Sequence, residues 1–314
     1  MLTRIFDAGQ GYGPLTNLKT MVDCTIVHRE GRWQMITCGV DKTSWEIDMF
    51  RASLPLGAPL SAAGWTIEAN PAEPHRPAVL CGKSRSHWWD GKGGRHCPSY
   101  VKGWDPEKNE WVERIYYAGS AQNFAGPYVI GYLEWDGAQW VDQSAPVFFA
   151  SEYWERGSVY EPNVLYHDGK WKMWYVAGAN QDDYLVQGYA ESPNGRTDWS
   201  VHQIMFAAEE KVFDFCVAAV DDGFDAVFSR VNVGKTEIPK TGLWWCHASE
   251  PSPKISDWTE PVRISEAGPW KPVLIHDGKK TFVFHDNAYP NPGGPGMPIF
   301  TIDCLELDRN RERS

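Results

Sequence analysis

Glu161-Pro-Asn-Val-Leu-Tyr-His-Asp-Gly-Lys-Trp-Lys-Met-Trp-Tyr-Val-Ala-Gly178 reads as a strand, a tight turn at Asp168-Gly169 and a second strand. An Asp-Gly pair between runs of apolar and aromatic residues is a strong short-range hairpin signal. The same frame stands earlier, where Asp23 leads a strand into Glu30-Gly31 and a second strand follows from Arg32. In both copies an acid lies eight residues before the turn glycine, from 161 to 169 and from 23 to 31. A carboxylate at the head of an apolar strand is costly to place near a core. Its repetition points to a shared polar site.

Three further segments fit the frame. Cys97-Pro98-Ser99-Tyr100-Val101 runs to a longer turn at Asp105-Pro106 and then to the strand from Arg114 to Gly119. Asp214 to Val220 precedes Asp222-Gly223, and Trp270 to His276 precedes Asp277-Gly278. The starts at 23, 97, 161, 214 and 270 stand 53 to 74 residues apart. Repeats of this length with several strands each indicate a β-propeller. Third strands follow, as from Tyr128 to Glu134 and from Leu185 to Ala190, and Trp65, Trp140, Trp199 and Trp258 close most units. Ser192-Pro-Asn-Gly-Arg-Thr-Asp-Trp199 resembles the Asp-box turn of propeller blades. The fold class is therefore all-β, a five-bladed β-propeller in one domain spanning 1–314. The last unit is one strand short, so residues 2–8 are expected to pair beside 299–307 and close the ring. A helical turn is expected only near Glu209 to Phe213, and a long Pro/Gly loop over His285 to Gly296.

The chain has 314 residues, 17 Trp, 13 Tyr and 13 Phe, which suits short aromatic-rich strands. Its net charge of −11 argues against nucleic acid, whose phosphates call for Lys and Arg, and against an anionic membrane surface. No apolar run approaches the roughly 20 residues of a membrane span. The first residues lack the basic-then-apolar order of a signal peptide. Seven cysteines without a metal-knuckle spacing read as reduced thiols, which places the protein in the cytoplasm.

In a propeller the innermost strands begin near the axis at one face, so their first residues converge. Here those are Asp23, Cys97, Glu161, Asp214 and Trp270, with His96 and Lys271 beside them. Acids from different blades are the arrangement glycoside hydrolysis needs: one carboxyl protonates the leaving oxygen, and another, ionised, activates water or attacks. A third tunes the acid by like-charge repulsion. Asp214 stands nine residues from its turn glycine, so Phe215 is the competing register. The loop from Ser86 to Arg95 is expected over the pocket mouth, with Trp88 and Trp89 either stacking on a sugar or packing outside. His96 and Cys97, as strand neighbours, face opposite ways and make a poor nucleophile pair. No residue pattern requires a cofactor or metal.

With these residues in view, the chain resembles the five-bladed propeller glycosidases of the family 43 and 32 superfamily: arabinanases, xylosidases and fructosidases. The resemblance runs over nearly the whole length and rests most on Val22-Asp23 with its hairpin and on Tyr160-Glu161-Pro162-Asn163-Val164. It implies that Asp23, on the first blade, is general base or nucleophile. The family carries an Asp on the third blade and a Glu acid on the fourth; here Glu161 is on the third and Asp214 on the fourth. Its second-blade Trp-Ala-Pro-Asp is replaced by His96-Cys97-Pro98-Ser99, without an acid. The implied activity is hydrolysis of a small glycoside or oligosaccharide, with Glu161 as acid and Asp214 as modulator. The resemblance also admits a Ca²⁺ ion on the axis. The alternatives are a non-hydrolytic lyase, isomerase or cyclase in the same pocket, or a carbohydrate-binding propeller without turnover. The latter repeats its site in each blade, whereas here the strand-start residues differ. Asp23, Glu161 and Asp214 are expected in one pocket, at the wider separation of about 6.5–9.5 Å that suits inversion.

Overall fold

The computed structural model describes residues 2–82, 87–91, 94–122, 125–178, 184–231, 240–266, 270–292 and 298–308. Strand β1 (Leu2–Asp7) opens the chain. The first blade is β2 (Leu18–Arg29), β3 (Arg32–Asp41), β4 (Ile47–Ser53) and β5 (Thr66–Ile67). The second is β6 (Gly94–Asp105), β7 (Glu110–Gln122), β8 (Ala125–Trp135) and β9 (Trp140–Asp142). The third is β10 (Val159–His167), β11 (Lys170–Ala177), β12 (Val186–Ser192) and β13 (Ser200–Phe206). The fourth is β14 (Val212–Val220), β15 (Gly223–Arg230), β16 (Gly242–Ala248) and β17 (Val262–Ser265). The fifth holds β18 (Trp270–His276), β19 (Thr281–Tyr289) and β20 (Ile299–Leu307), and β1 completes it. Leu2 lies opposite Leu305 and Asp7 opposite Thr301, the closure expected from the sequence. The first strand of each sheet packs against the first strand of the next, and β18 returns to β2. The result is a five-bladed propeller.

The hairpins form for the reason their turns announce. Asp168 and Gly169 both have positive φ, 48° and 72°, as do Glu30 and Gly31, at 54° and 74°. Two such residues in succession give the turn whose twist matches paired strands. Alternation along each strand then sends side chains to opposite neighbours. Trp171, Met173 and Tyr175 on β11 pack with Val101, Tyr116 and Ile130 of the second blade. Trp174, on the other face, packs with Phe215 and Phe228 of the fourth. The hydrophobic core is therefore a set of layers between blades.

The turn after β12 works as a clamp. Asn194 Oδ1 accepts from the Arg196 and Thr197 amides at 2.8 and 2.9 Å, and the Gly195 amide donates to Ser192 Oγ at 2.9 Å. The second blade grips this turn: Arg114 Nη1 donates to the Asn194 carbonyl at 2.6 Å and Tyr116 to the Gly195 carbonyl at 2.5 Å. Arg114 is itself fully buried between Asp105 and Glu134.

Two expectations need adjusting. The helical turn is a short 3-10 turn, Ala208–Glu210, with Val212 already beginning β14, and two more such turns, Tyr153–Glu155 and Ile255–Asp257, stand where none was expected. His285 to Tyr289 do not open a loop; they continue β19, paired with β20 from Asp303 to Ile299. Residues 293–296 of the expected loop lie outside those described. Among the described residues no helix is long and apolar enough to cross a membrane.

Gly195 and Gly169 separate turn strain from packing. Both have positive φ, 70° and 72°, but a β-carbon at 169 meets nothing within 4 Å, whereas at 195 it falls 2.5 Å from the Tyr116 hydroxyl and 2.6 Å from Trp171. Gly169→Ala should cost about 1 kcal/mol, the penalty of a β-carbon in the left-handed region. Gly195→Ala should cost about 2–4 kcal/mol, since overpacking is added. Urea unfolding of the two variants measures both. Equal losses would mean that the clamp is not tightly packed.

Candidate active site

Each inner strand carries an irregularity at the same place. The ladder register shifts between Val22 and Cys24, His96 and Ser99, Tyr160 and Asn163, Phe213 and Phe215, and Trp270 and Val273. At each shift one residue takes a left-handed conformation: Asp23 at 50°, Cys97 at 54°, Glu161 at 52°, Asp214 at 60° and Lys271 at 46°. None is glycine, so each costs of order 1–3 kcal/mol that the surroundings must sustain. A bulge re-aims a side chain, and here it re-aims five toward one centre. Proline follows three of them, at 98, 162 and 272; having no N–H, it leaves no ladder donor unpaired.

Two stacked rings result. The residues just before the bulges, Val22, His96, Tyr160, Phe213 and Trp270, all line a cavity of about 370 Å³, with Tyr128 and Phe300 adding to its wall. Aromatic contacts run round this crown: His96 meets Tyr128 at 5.6 Å, Tyr128 meets Tyr160 at 5.3 Å, and Trp270 meets Phe300 at 6.1 Å. Beneath lies the ring of bulge residues. Asp23, Cys97 and Glu161 face the upper cavity, with Asp286 beside them. Glu161, Asp214 and Lys271 face a second cavity of about 420 Å³ further down between the inner strands.

The ring is held from several sides. Asp286 Oδ2 accepts the Asp23 amide at 2.6 Å, and Asp214 Oδ2 accepts the Lys271 amide at 2.8 Å. Lys271 Nζ lies 3.2 Å from Glu161 Oε2 and donates to the Pro162 carbonyl at 3.3 Å. Two thiols donate to Asp23 Oδ2, Cys38 at 3.3 Å and Cys97 at 3.4 Å. Just below, the strands are stitched together. Thr25 accepts the Tyr100 amide at 3.2 Å, Ser99 the Val164 amide at 3.0 Å, Asn163 the Val217 amide at 2.9 Å and Cys216 the Leu274 amide at 3.4 Å. Each acceptor stands two residues past its bulge, and each donor three past the next.

Burial dominates the electrostatics. It pushes the Asp214 carboxyl well above the usual range, with Glu161 adding to the effect, and does the same to Asp286, with Asp23 adding. Burial also raises Glu161, against the pull of Lys271. It works against the charge of Lys271 too, but Glu161 and Asp214 outweigh it and hold the ammonium protonated. One physical state satisfies both directions: Lys271 neutralises a single carboxylate, and the Glu161–Asp214 pair retains a proton. Burial likewise keeps the Cys97 and Cys38 thiols protonated, as donors need to be.

Several expectations are corrected by this geometry. Lys271, not Trp270, is the bulge residue of the fifth blade; Trp270 stays in the crown above. Asp214, not Phe215, stands at the fourth bulge, since Phe215 packs between blades with Trp174 and Phe228. Asp23, Glu161 and Asp214 do not line one cavity, because Asp214 points to the lower one. One oxygen of Asp23, one of Glu161 and Cys97 Sγ lie within 4.8 Å of one another, so these two acids approach closely at their nearest oxygens. Trp89 cannot stack on a ligand: it is 1% exposed, stacks on Tyr117 at 5.4 Å and fills the space over Gly119 and Gly131. Trp88 is exposed and lies outside the lining of both cavities. Ser86, Lys92 and Gly93 of that loop lie outside the described residues. Asp286 was not anticipated. It faces Trp270 across β18 and β19, a position hidden when the segment is taken for a loop.

No family model matches the chain, and no curated protein matches it in sequence. Solved structures do match in shape. A family 117 glycoside hydrolase from Zobellia galactanivorans superposes with a TM-score of 0.64 at 12% identity, over 100% of this chain and 93% of that one. The catalytic domain of the Coprinopsis cinerea family 62 α-L-arabinofuranosidase gives 0.60 at 12% identity, over 92% and 91%. A thermostable family 43 glycoside hydrolase gives 0.57 at 13% identity, over 92% and 90%. The chain therefore shares its fold with glycoside hydrolases of families 117, 62 and 43.

Proposed function

We propose that the protein is a glycoside hydrolase that cleaves a small glycoside or oligosaccharide in the upper cavity. The observation that carries this reading is the pair Asp23 and Glu161. Their carboxylate oxygens approach within 4.8 Å under a single cavity. A sugar ring seated against the crown of Tyr128, Tyr160, Phe213 and Trp270 presents its anomeric carbon to that pair. Glu161, which shares a proton with Asp214, serves as the general acid. Asp23, fixed by its thiol donors, serves as the nucleophile. Asp214 holds the proton from below without touching substrate. The short separation favours retention, for which carboxyl groups stand about 5–5.5 Å apart, over inversion. The shared fold supports a carbohydrate substrate by analogy. The seven free cysteines support a reducing, cytoplasmic setting.

The largely apolar crown favours one other reading, a lyase, isomerase or cyclase that uses the same acid on a less polar substrate. Product analysis separates the two, since only the hydrolase consumes water.

Glu161→Gln keeps the shape of the acid and removes its proton. On glycosides with poor leaving groups its rate should fall by roughly 10²–10⁴, the worth of a positioned acid. On nitrophenyl glycosides the loss should be smaller, because the leaving group needs less protonation. Asp23→Asn should damage both substrate types alike. Equal losses on both for Glu161→Gln would remove it as the acid. The first product anomer, read by proton NMR before mutarotation, should keep the configuration of the substrate; an inverted anomer would exclude Asp23 as nucleophile.

A further inference from the structure

We infer that Asp23, Cys97 and Glu161 form a binding site for a borderline-soft divalent cation, zinc foremost, and that the bound ion shuts the upper cavity to catalysis. The site stands on binding geometry alone; the inhibition rests on the hydrolase reading above.

Three donor atoms from three blades lie within 4.8 Å of one another, and the Cys97 Sγ to Asp23 Oδ2 distance is 3.4 Å. Around a tetrahedral zinc, with bonds of about 2.0–2.3 Å, donor atoms sit roughly 3.3–3.8 Å apart. Small side-chain rotations suffice to close the set. A fourth donor stands ready independently. Asp286 is 2% exposed, lines the same cavity, and its Oδ1 has no hydrogen-bond partner. Its Oδ2 is fixed by the Asp23 amide, so the free oxygen is held in place.

Charge points the same way. Glu161, Asp214 and Asp23 stand round the ammonium of Lys271, and Asp286 lies against Asp23. A dication adds a second positive charge beside this acid-rich ring, which a neutral ligand does not. Lys271 Nζ pairs with Glu161 Oε2 at 3.2 Å, which anchors this ligand from the side of the ring. Donor chemistry then selects the metal. Calcium takes six to eight oxygens, and a set built round a thiol does not fit it. Thiolate with carboxylate suits zinc and cobalt. On binding, the Cys97 S–H bond breaks, its proton leaves to solvent and the sulfur pair enters the metal bond. Cys38 remains a hydrogen-bond donor to Asp23.

The test is a titration of the chelator-treated full-length protein with cobalt chloride. A thiolate-to-cobalt charge-transfer band in the near ultraviolet should saturate at one equivalent and vanish on adding zinc chloride. Cys97→Ser should lose the band and bind zinc at least about tenfold more weakly by calorimetry. Cys38→Ser should keep the band. Circular dichroism and thermal melting would verify that each variant folds, and Cys97→Ala provides a second ligand deletion. No band in the wild type would overturn the site. So would a band that survives Cys97→Ser, or calcium binding as tight as zinc. If the band forms and zinc halts hydrolysis in proportion to it, both parts stand. A band in a protein that hydrolyses no glycoside would uphold the site and overturn the hydrolase reading alone.

Discussion

One extra residue in each inner strand, forced into the left-handed region, is the constraint on which the rest depends. It turns five side chains out of the ladder plane and toward the axis, and it leaves the residue before each as a rim. An ordinary pleated strand would alternate its side chains between neighbouring blades and present no such ring. The residues that accept this conformation, Asp23, Cys97, Glu161, Asp214 and Lys271, are not chosen for backbone ease. Glycine would be cheaper at every one of them. Their side chains explain why glycine is absent: the bulge exists to present them.

The same displacement raises a hydrogen-bonding problem, and the fold solves it locally. Backbone amides displaced from a ladder near a buried axis need acceptors. Asp214 and Asp286 supply two of them directly, at the amides of Lys271 and Asp23. These acids are thus both electrostatic neighbours of the reactive pair and structural pins for the backbone of the ring. Replacing either would disturb geometry and charge together. Thr25, Ser99, Asn163 and Cys216 supply the next layer down. The displaced amides thus find their acceptors across blade boundaries, which ties neighbouring inner strands together.

The hairpin frame was legible because Asp-Gly turns dictate backbone conformation at short range. Glu161 and Asp23 stood at a constant offset from those turns, and the closure by Leu2 to Asp7 followed from the missing strand. Counting from the turn failed on the fifth blade, where it selected Trp270. The proline register would have found Lys271, since Cys97-Pro98, Glu161-Pro162 and Lys271-Pro272 are the same dipeptide position. Asp286 was out of reach of that logic because it belongs to a second strand and joins the site through a cross-strand neighbour. The burial of Trp89 depends on two glycines, at 119 and 131, on strands distant in sequence. That the acids divide between two cavities is set by the tilt of side chains at the ring, which no spacing reveals.

The four stitches between inner strands all run one way. The accepting side chain is always on the earlier blade, and the donating amide always on the later. Between the last blade and the first the pattern lapses: the equivalent position is Val273, which has no acceptor, and the junction relies on Asp286 and on the pairing of β1 with β20. The ring therefore has a direction and a seam. A chain emerging from its N-terminus carries each acceptor into place before the strand that will use it, so every junction but one can be completed in order of synthesis. Only the seam must wait for both ends, and through Asp286 and Asp23 the seam passes directly under the cavity.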